Sequence, residues 1–140
     1  MMASDPNCIF CKIVAGEIPS FKLYEDDETL AFMDINPVHD GHCLVIPKAH
    51  SPNVMEIGPE DFAAAARLAA KVAKAVNAAV SCDGINLMQA NGEGAGQSVG
   101  HVHLHIIPRR KADGLLFNWE PKPGERGHIA SVAARIREFL

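Results

Sequence analysis

The stretch GHVHLHIIPRR, residues 100–110, alternates three histidines with apolar residues. Successive side chains of a β-strand point to opposite faces of its sheet, so His101, His103 and His105 are predicted to share one face. The apolar residues between them then face a hydrophobic core. Neighbouring rings of this row would lie about 6.6 Å apart, which is twice the rise per residue of a strand. Three imidazoles in a row beside a core predict a site with a chemical role.

Outward from this stretch, the pattern of apolar runs and turn residues predicts an α+β fold. Residues 58–80 predict one long helix, because Pro59 suits a first turn and the acidic Glu60 and Asp61 favour a helix N-terminus. A short helical turn over residues 7–17 and a C-terminal helix near 128–139 are also predicted. The strands form a mostly antiparallel, five-stranded sheet, and their predicted ranges are 20–25, 28–34, 42–48, 84–91 and 98–109.

Length and composition favour a single domain without a membrane segment. The chain has 140 residues, 48% of them hydrophobic, and a formal net charge of −4 at pH 7. A negative net charge argues against general binding to nucleic acid or to an anionic membrane. No apolar stretch is long enough to cross a bilayer, and the first residues lack the pattern of a secretory signal. A cytoplasmic location is therefore expected, in which the four cysteines stay reduced or bind metal.

The histidine row allows three interpretations. Hydrogen-bonded core histidines would need no function, and histidines two residues apart on a strand can also reach one zinc ion. Thirdly, neutral imidazole attacks phosphorus readily and water can break the resulting N–P bond, so one difficult displacement becomes two easier steps. The glycine-rich stretch NGEGAGQS, residues 91–98, favours the third interpretation, because glycines let backbone N–H groups approach a phosphate. A flexible connection between strands would also explain these glycines.

Together these motifs resemble the histidine triad (HIT) family of nucleotide hydrolases and transferases. The stretch QSVGHVHLHII fits the family's His-x-His-x-His-x-x motif, in which x is apolar. The resemblance is to the Hint-like and bacterial branch, and it extends upstream through IFCKIVAGEIPS, YEDDETLAFMDINPVHDGHCLVIPKAH and NLMQANGEGAGQS. It implies a HIT-like fold with a core over residues 8–110 and a C-terminal extension over 111–140.

The resemblance implies a mechanism through a nucleotidyl-histidine intermediate. His103 would attack the α-phosphorus of a purine nucleotide, while His105 would contact the phosphate and assist the leaving group. His101 would orient its neighbours, and Asp34, which alone is equally well a strand-end turn residue, would accept from the ribose hydroxyls. The other implied contacts are a base slot of Ile9, Phe10, Phe32 and Ile35, phosphate contacts from Asn91, Gln97 and Ser98, and a supporting hydrogen bond from His42.

The sequence CIFC places Cys8 and Cys11 at the spacing of a zinc half-site. Two reduced structural cysteines would show the same spacing. In bacterial HIT proteins that bind zinc, the positions matching His50 and His101 supply the other ligands, so the resemblance implies a closed structural zinc site. No catalytic metal is expected, because His103 and His105 remain available for the reaction.

The function expected from the resemblance is hydrolysis of purine nucleoside 5′-phosphoramidates or related adenylylated compounds, with release of an AMP-type product. Hydrolysis of dinucleoside polyphosphates is the nearest alternative. A nucleotide-binding regulatory module with little turnover, or a zinc-dependent hydrolase, would use the same motifs. The family also implies a homodimer, and Trp119 either contributes to substrate choice or simply packs.

Overall fold

The predicted apolar runs form regular elements in the computed structural model, which describes residues 2–116 and 120–140. In chain order they are α1 (Ile9–Val14), β1 (Lys22–Glu25), β2 (Thr29–Met33), β3 (Cys43–Pro47), α2 (Pro59–Val80), β4 (Gly84–Met88), a 3₁₀ turn (Glu93–Ala95), β5 (Leu104–Arg109) and α3 (Arg126–Arg137). The five strands are antiparallel, in the sheet order β1-β2-β3-β5-β4. This confirms the α+β class, the five-stranded antiparallel sheet, the long helix and the C-terminal helix.

Two apolar layers cover the sheet, one on each face. On one face α2 packs small residues such as Ala65 against a core that includes Ile106. On the other face α1 places Phe10 in a cluster with Phe32 and Leu44. Alanines along α2 allow the helix to approach the sheet closely, and the burial of both layers stabilises the fold.

The register of β5 decides which face of the sheet carries histidine. Leu44 of β3 lies opposite His105, and Val45 lies opposite Leu104. Directly opposed residues of an antiparallel pair point to the same face, so His105 lies on the α1 face with Leu44. Leu104 and Ile106 belong instead to the core under α2. Within β5, the predicted division into a histidine face and a core face is confirmed.

The last predicted strand is shorter than expected. It begins at Leu104, so His101 and His103 precede it, and the prediction that all three histidines lie on one strand is wrong. The backbone N–H of Val102 donates to the carbonyl of Ser51 at 2.8 Å. Ser51 lies in a loop and not in a strand of the sheet.

Pro47, the final residue of β3, explains where the ladder stops. The last pair of this ladder is Val45–Leu104. The two residues of a hydrogen-bonded antiparallel pair exchange both N–H···O bonds, and Pro47, two residues further on, has no N–H to give. The carbonyl of Pro47 accepts instead from Nε2 of the His101 ring at 2.8 Å. The segment before β5 therefore leaves the sheet and is held by other contacts.

At two further boundaries that differ from the predicted ranges, side-chain hydrogen bonds lie beside the end of the element. β4 ends at Met88 rather than at residue 91, and the side-chain amides of Gln89 and Asn91 bond to each other beyond it at 2.6 and 2.7 Å. α3 begins at Arg126 rather than near residue 128, because the Glu125 carboxylate accepts from two backbone N–H groups of the first turn at 2.8 and 2.7 Å.

The predictions for a membrane segment and for the C-terminal region can be compared with the described residues only. Across 2–116 and 120–140, no helix is long and apolar enough to cross a membrane. Trp119 lies outside the described residues, so its contribution to substrate choice stays a prediction. The division into a core over 8–110 and an extension over 111–140 also stays a prediction.

Gly41 tests how tightly the loop before β3 packs against α2. It has a φ of +93°, and a Cβ there would lie 3.1 Å from Pro108 and 3.2 Å from Val80. Gly16, with a φ of +78°, is the matched control, since among the described residues no atom beyond its chain neighbours comes within 4 Å of such a Cβ. We expect Gly16→Ala to lower the free energy of unfolding by about 1 kcal/mol through backbone strain, and Gly41→Ala by about 2 kcal/mol more through overpacking. Urea denaturation measures both, and equal losses would contradict the close packing.

Candidate functional site

The ring of His103 is held in one orientation by its own chain segment. Its Nδ1 lies 2.7 Å from the carbonyl oxygen of His101. Because a carbonyl oxygen can only accept, Nδ1 carries the proton of the neutral ring and Nε2 keeps its lone pair. The side chain is buried and packs edge-to-face on Phe10, with 5.2 Å between the ring centroids. Nε2 is therefore the ring nitrogen of His103 that carries the lone pair.

A second set of hydrogen bonds determines where the proton of His105 lies. The backbone N–H of Val38 donates to Nδ1 of His42 at 3.1 Å, which places the His42 proton on Nε2. Nε2 of His42 lies 2.9 Å from Nδ1 of His105 and donates to it. His105 then carries its own proton on Nε2. Its ring centroid is 5.0 Å from that of His103, so a lone pair and an N–H donor stand side by side.

Burial keeps the supporting histidines uncharged at neutral pH. Burial, together with the nearby rings of His103 and His42, lowers the pKa of His105 to about 4 against the raising effect of the Asp34 carboxylate. Burial also lowers the pKa of His42 against the raising effect of Asp34. The proton positions given for His42 and His105 are therefore those of neutral imidazoles.

His103 and His105 lie in the wall of a cleft of about 460 Å³. Its lining is mostly apolar and comes from α1, β2 and the loop before β1. An apolar slot with imidazoles at one side suits a flat heteroaromatic base joined to a phosphate. The structure places six other predicted substrate-binding residues in this lining, namely Ile9, Phe10, Phe32, Asp34, Ile35 and Ser98.

The cleft has further walls that the sequence analysis did not identify. Ile18, Pro19 and Phe21 line it from the loop before β1. Phe21 is 72% exposed, and an exposed aromatic beside a turn is the one signal that could have marked this wall. Leu44 and Val99 also line the cleft, but their sequence pattern is that of ordinary core residues.

Two predicted phosphate-binding residues hold the glycine-rich loop in place. Gln97 donates through Nε2 to the carbonyl of Pro52 at 2.6 Å, and its Oε1 accepts from the N–H of Gly92 at 2.7 Å. The Oδ1 of Asn91 accepts from the N–H of Val54 at 2.7 Å. Neither side chain is among the described residues that line the cleft, so their phosphate contacts stay predictions.

Asp34, directly after β2, is both a turn residue and part of the cleft. Its Oδ1 accepts from the N–H of Asn36 at 2.8 Å, which is a turn contact. Its Oδ2 lies 3.3 Å from Nε2 of His42 and 3.9 Å from Nδ1 of His105. The carboxylate therefore stands beside the histidines on the cleft wall, and its contact with ribose stays a prediction.

Four other side chains converge beside the cleft in what we call the Cys₂His₂ cluster: Cys8, Cys11, His50 and His101. The Sγ to Nδ1 distances are 3.4 Å for Cys8–His101, 3.4 Å for Cys11–His50 and 3.6 Å for Cys11–His101, and the two Nδ1 atoms are 3.2 Å apart. Tetrahedral zinc with ordinary bond lengths requires about 3.6 Å between sulfur and nitrogen and about 3.3 Å between two nitrogens. The predicted metal ligands therefore meet with the geometry of a closed tetrahedral site.

His101 is oriented for ligation by the hydrogen bond on the far side of its ring. Since Nε2 donates to the carbonyl of Pro47, Nδ1 has no proton and faces the cysteines. Burial lowers the pKa of His101 to about 4, which keeps the ring neutral, as a metal ligand must be. The N–H groups of Cys11 and Asp5 donate to the sulfurs of Cys8 and Cys11, at 3.4 and 3.5 Å.

Asp34, His42 and His105 also bring metal-ligating atoms together, but their contacts are hydrogen bonds. The 2.9 Å between the two ring nitrogens is shorter than the roughly 3.3 Å that two ligands of one zinc would require. A metal on Nε2 of His42 would also remove the only proton of that ring, because Val38 donates to Nδ1. Of the two groups found in the described residues, the Cys₂His₂ cluster is the one that fits a metal ion.

The sequence and the fold of this chain match a known family. The HIT domain family model matches residues 15–112, so the chain belongs to the histidine triad (HIT) family. Protein hit of Bacillus subtilis is 47% identical over 135 residues, which cover 92% of this chain and 93% of that protein. The adenosine 5′-monophosphoramidase HNT1 of Saccharomyces cerevisiae is 45% identical over 137 residues, covering 97% of this chain and 82% of that protein.

Solved structures confirm the HIT-like fold. A HIT family protein from Bacillus anthracis superposes with a TM-score of 0.91 at 38% identity, covering 98% of this chain and 99% of that one. A zinc-bound histidine triad family protein from Mycobacterium smegmatis superposes with a TM-score of 0.75 at 37% identity, covering 96% of this chain and 97% of that one.

The lowered pKa of His105 predicts how stability depends on pH. In the unfolded chain a histidine takes up a proton as the pH falls below 6.5, whereas folded His105 stays neutral until about pH 4. The unfolded state then binds more protons, so stability falls as the pH is lowered through this window, by at most about 3 kcal/mol for this group.

We expect His105→Asn, whose amide oxygen can still accept from His42, to lose less unfolding free energy than the wild type between pH 6.5 and 4. Urea denaturation across this range measures the difference. His128→Asn, which removes an exposed histidine of α3, should follow the wild type. If the unfolding free energies of His105→Asn and wild type fell in parallel with pH, the pKa of His105 would not be lowered by folding.

Proposed function

We propose that the protein is a hydrolase of purine nucleoside 5′-phosphoramidates or related adenylylated compounds, cleaving the bond between the α-phosphorus and the leaving group. The observation that carries the proposal is the hydrogen bond from Nδ1 of His103 to the carbonyl of His101, which leaves the Nε2 lone pair on a residue of the cleft wall. The yeast relative's name as an adenosine 5′-monophosphoramidase supports this substrate class.

In the first step, the Nε2 lone pair of His103 forms a bond to the α-phosphorus. The bond from phosphorus to the leaving nitrogen breaks, and this nitrogen takes the electron pair and a proton from solvent. The proton on Nδ1 of His103 stays on the ring and donates to the His101 carbonyl, which stabilises the positive charge of the imidazolium that forms.

In the second step, water attacks the phosphorus of the nucleotidyl-histidine. The N–P bond breaks, its electron pair returns to Nε2 of His103, and water loses one proton to solvent. A nucleoside monophosphate leaves, and the proton balance of the two steps is zero. The neutral ring of His105 donates its Nε2–H to a phosphoryl oxygen in both steps, or to the leaving nitrogen in the first step.

The apolar walls of the cleft would bind the base of the substrate. Phe10 and Phe32, whose rings meet edge-to-face with 5.5 Å between centroids, offer a preformed surface on which a purine can pack. Asp34 would accept from the ribose hydroxyls, because its carboxylate lines the same cleft as His103.

The Cys₂His₂ cluster would hold zinc as a structural centre. Its four ligands would close the coordination sphere, so zinc when bound supplies cross-linking of chain segments rather than a site for substrate. The zinc-bound relative from Mycobacterium smegmatis supports the choice of metal. Assembly as a homodimer is a further part of the proposal, taken from the family resemblance.

Removal of the nucleophile tests the proposed reaction. With adenosine 5′-phosphoramidate as substrate, we expect His103→Ala to lower turnover by at least about 10³-fold, because the variant lacks the nitrogen that forms the proposed covalent intermediate. Intact-protein mass after brief exposure to substrate should show a nucleotidyl adduct on wild type that His103→Ala lacks. His128→Ala, in the exposed part of α3, is the matched control and should retain activity and adduct.

Turnover that survives in His103→Ala would overturn the mechanism. Tight nucleotide binding without turnover in either protein would indicate a regulatory binding module instead. The nearest alternative is tested with a dinucleoside polyphosphate in the same assay. Faster cleavage of this compound than of the phosphoramidate would make dinucleoside polyphosphates the substrate class.

Metal analysis tests the zinc proposal. We expect one zinc per chain in native mass spectrometry of wild type, and loss of this zinc in Cys11→Ala. Cys43→Ala is the matched control, because Cys43 is a buried thiol of the core under α2 and should leave zinc bound. Saturating zinc, at about 100 times its Kd, should stabilise wild type by about 2.7 kcal/mol over the chelated protein. Zinc retained in Cys11→Ala would contradict the assignment.

A further inference from the structure

The two residues between Cys8 and Cys11 belong to the cleft that we propose as the nucleotide site, which we call the nucleotide cleft. Cys8 caps the N-terminus of α1 and Cys11 lies within it, so Ile9 and Phe10 are carried by the same short segment. Both Ile9 and Phe10 line the cleft. A helix of six residues is far too short to be stable alone, so its position depends on what anchors it. The wall of the cleft therefore depends on the cluster that holds α1.

Two of the restraints on the His103 ring come from residues tied to the same cluster. The carbonyl that accepts from Nδ1 of His103 belongs to His101, whose own Nδ1 points into the cluster. The ring that packs against His103 belongs to Phe10, which also lies 5.9 Å from the His101 ring, centroid to centroid. A shift of His101 or of α1 would thus move the groups that orient the nucleophile.

We propose that the Cys₂His₂ cluster is coupled to the nucleotide cleft, with Phe10 as the positioning residue that connects them, so that zinc and a purine nucleoside monophosphate bind cooperatively. This inference rests on the proposed function for the identity of the ligand. Metal binding joins α1, the loop at His50 and the segment before β5, and it thereby sets the base wall and the orientation of His103 together. Without the metal, these three segments lose their common cross-link.

Thermodynamic reciprocity makes the coupling measurable in the unmodified protein. If zinc raises the affinity for AMP by some factor, AMP must raise the affinity for zinc by the same factor. We expect a factor of about tenfold, within the usual range for coupled sites. The zinc affinity is measured by competition with a chromophoric chelator under a reductant that does not bind zinc, with and without saturating AMP. A sample without protein corrects for zinc binding to AMP itself.

Two matched variants test the route through Phe10. Phe10→Leu keeps the four ligands but removes the ring that contacts His103. Phe21→Leu removes the same ring type from the same cleft, but from the loop before β1. Both should weaken AMP binding, whereas only Phe10→Leu should reduce the coupling factor.

A change at the far side of the cluster provides a third readout. His50 contributes Nδ1 to the cluster and is not among the described residues that line the cleft. His50→Ala should weaken AMP binding severalfold at fixed zinc, and His50→Cys, which restores a fourth ligand, should recover it. His128→Ala should leave AMP affinity unchanged. Near-UV circular dichroism checks that each variant is folded.

The outcomes separate the inference from the proposed function. Equal zinc affinity with and without AMP, in a protein that binds AMP, would overturn the coupling and leave the hydrolase proposal standing. Equal coupling factors in Phe10→Leu and Phe21→Leu would overturn the role of Phe10. Zinc-loaded protein that does not bind AMP would overturn both the nucleotide function and the inference that rests on it.

Discussion

The hydrogen bond from Nδ1 of His103 to the carbonyl of His101 is the contact on which the rest of the site depends. It decides which nitrogen of the His103 ring has a lone pair, and it lies where the chain leaves the sheet, just before Leu104. The ladder between β3 and β5 ends at the Val45–Leu104 pair, and Pro47, two residues further along β3, has no N–H with which to extend it. A proline in one strand therefore leaves the segment that orients the His103 ring outside the sheet.

The two neighbouring rings are held in opposite tautomers by main-chain groups. A carbonyl oxygen places the proton of His103 on Nδ1, whereas the N–H of Val38, acting through His42, places the proton of His105 on Nε2. One ring can attack phosphorus while the other donates to its oxygens, with no ionised side chain required. Main-chain groups have few degrees of freedom, so this arrangement is set before a substrate binds.

Sequence pattern predicts the elements of this fold well, but contacts between distant segments much less well. The long helix and the strand at residues 42–48 have strong local signals, and the structure bears them out. Periodicity placed His101 in one row with its neighbours, although its ring turns away into the Cys₂His₂ cluster. The cause lies at Pro47, far away in the chain, which no local pattern can reveal. The cleft wall at Ile18 and Phe21 was missed because loop residues have no periodicity that marks them.

The proton position on His103 is the most direct test of this account. Protein labelled with ¹⁵N in its histidines, studied by NMR near pH 7 in the zinc-loaded state, reports which ring nitrogen carries hydrogen. We expect Nδ1 of His103 to be protonated and Nε2 to carry the lone pair. A proton found on Nε2 of the free protein would contradict this expectation, because the atom assigned to attack phosphorus would have no lone pair to offer.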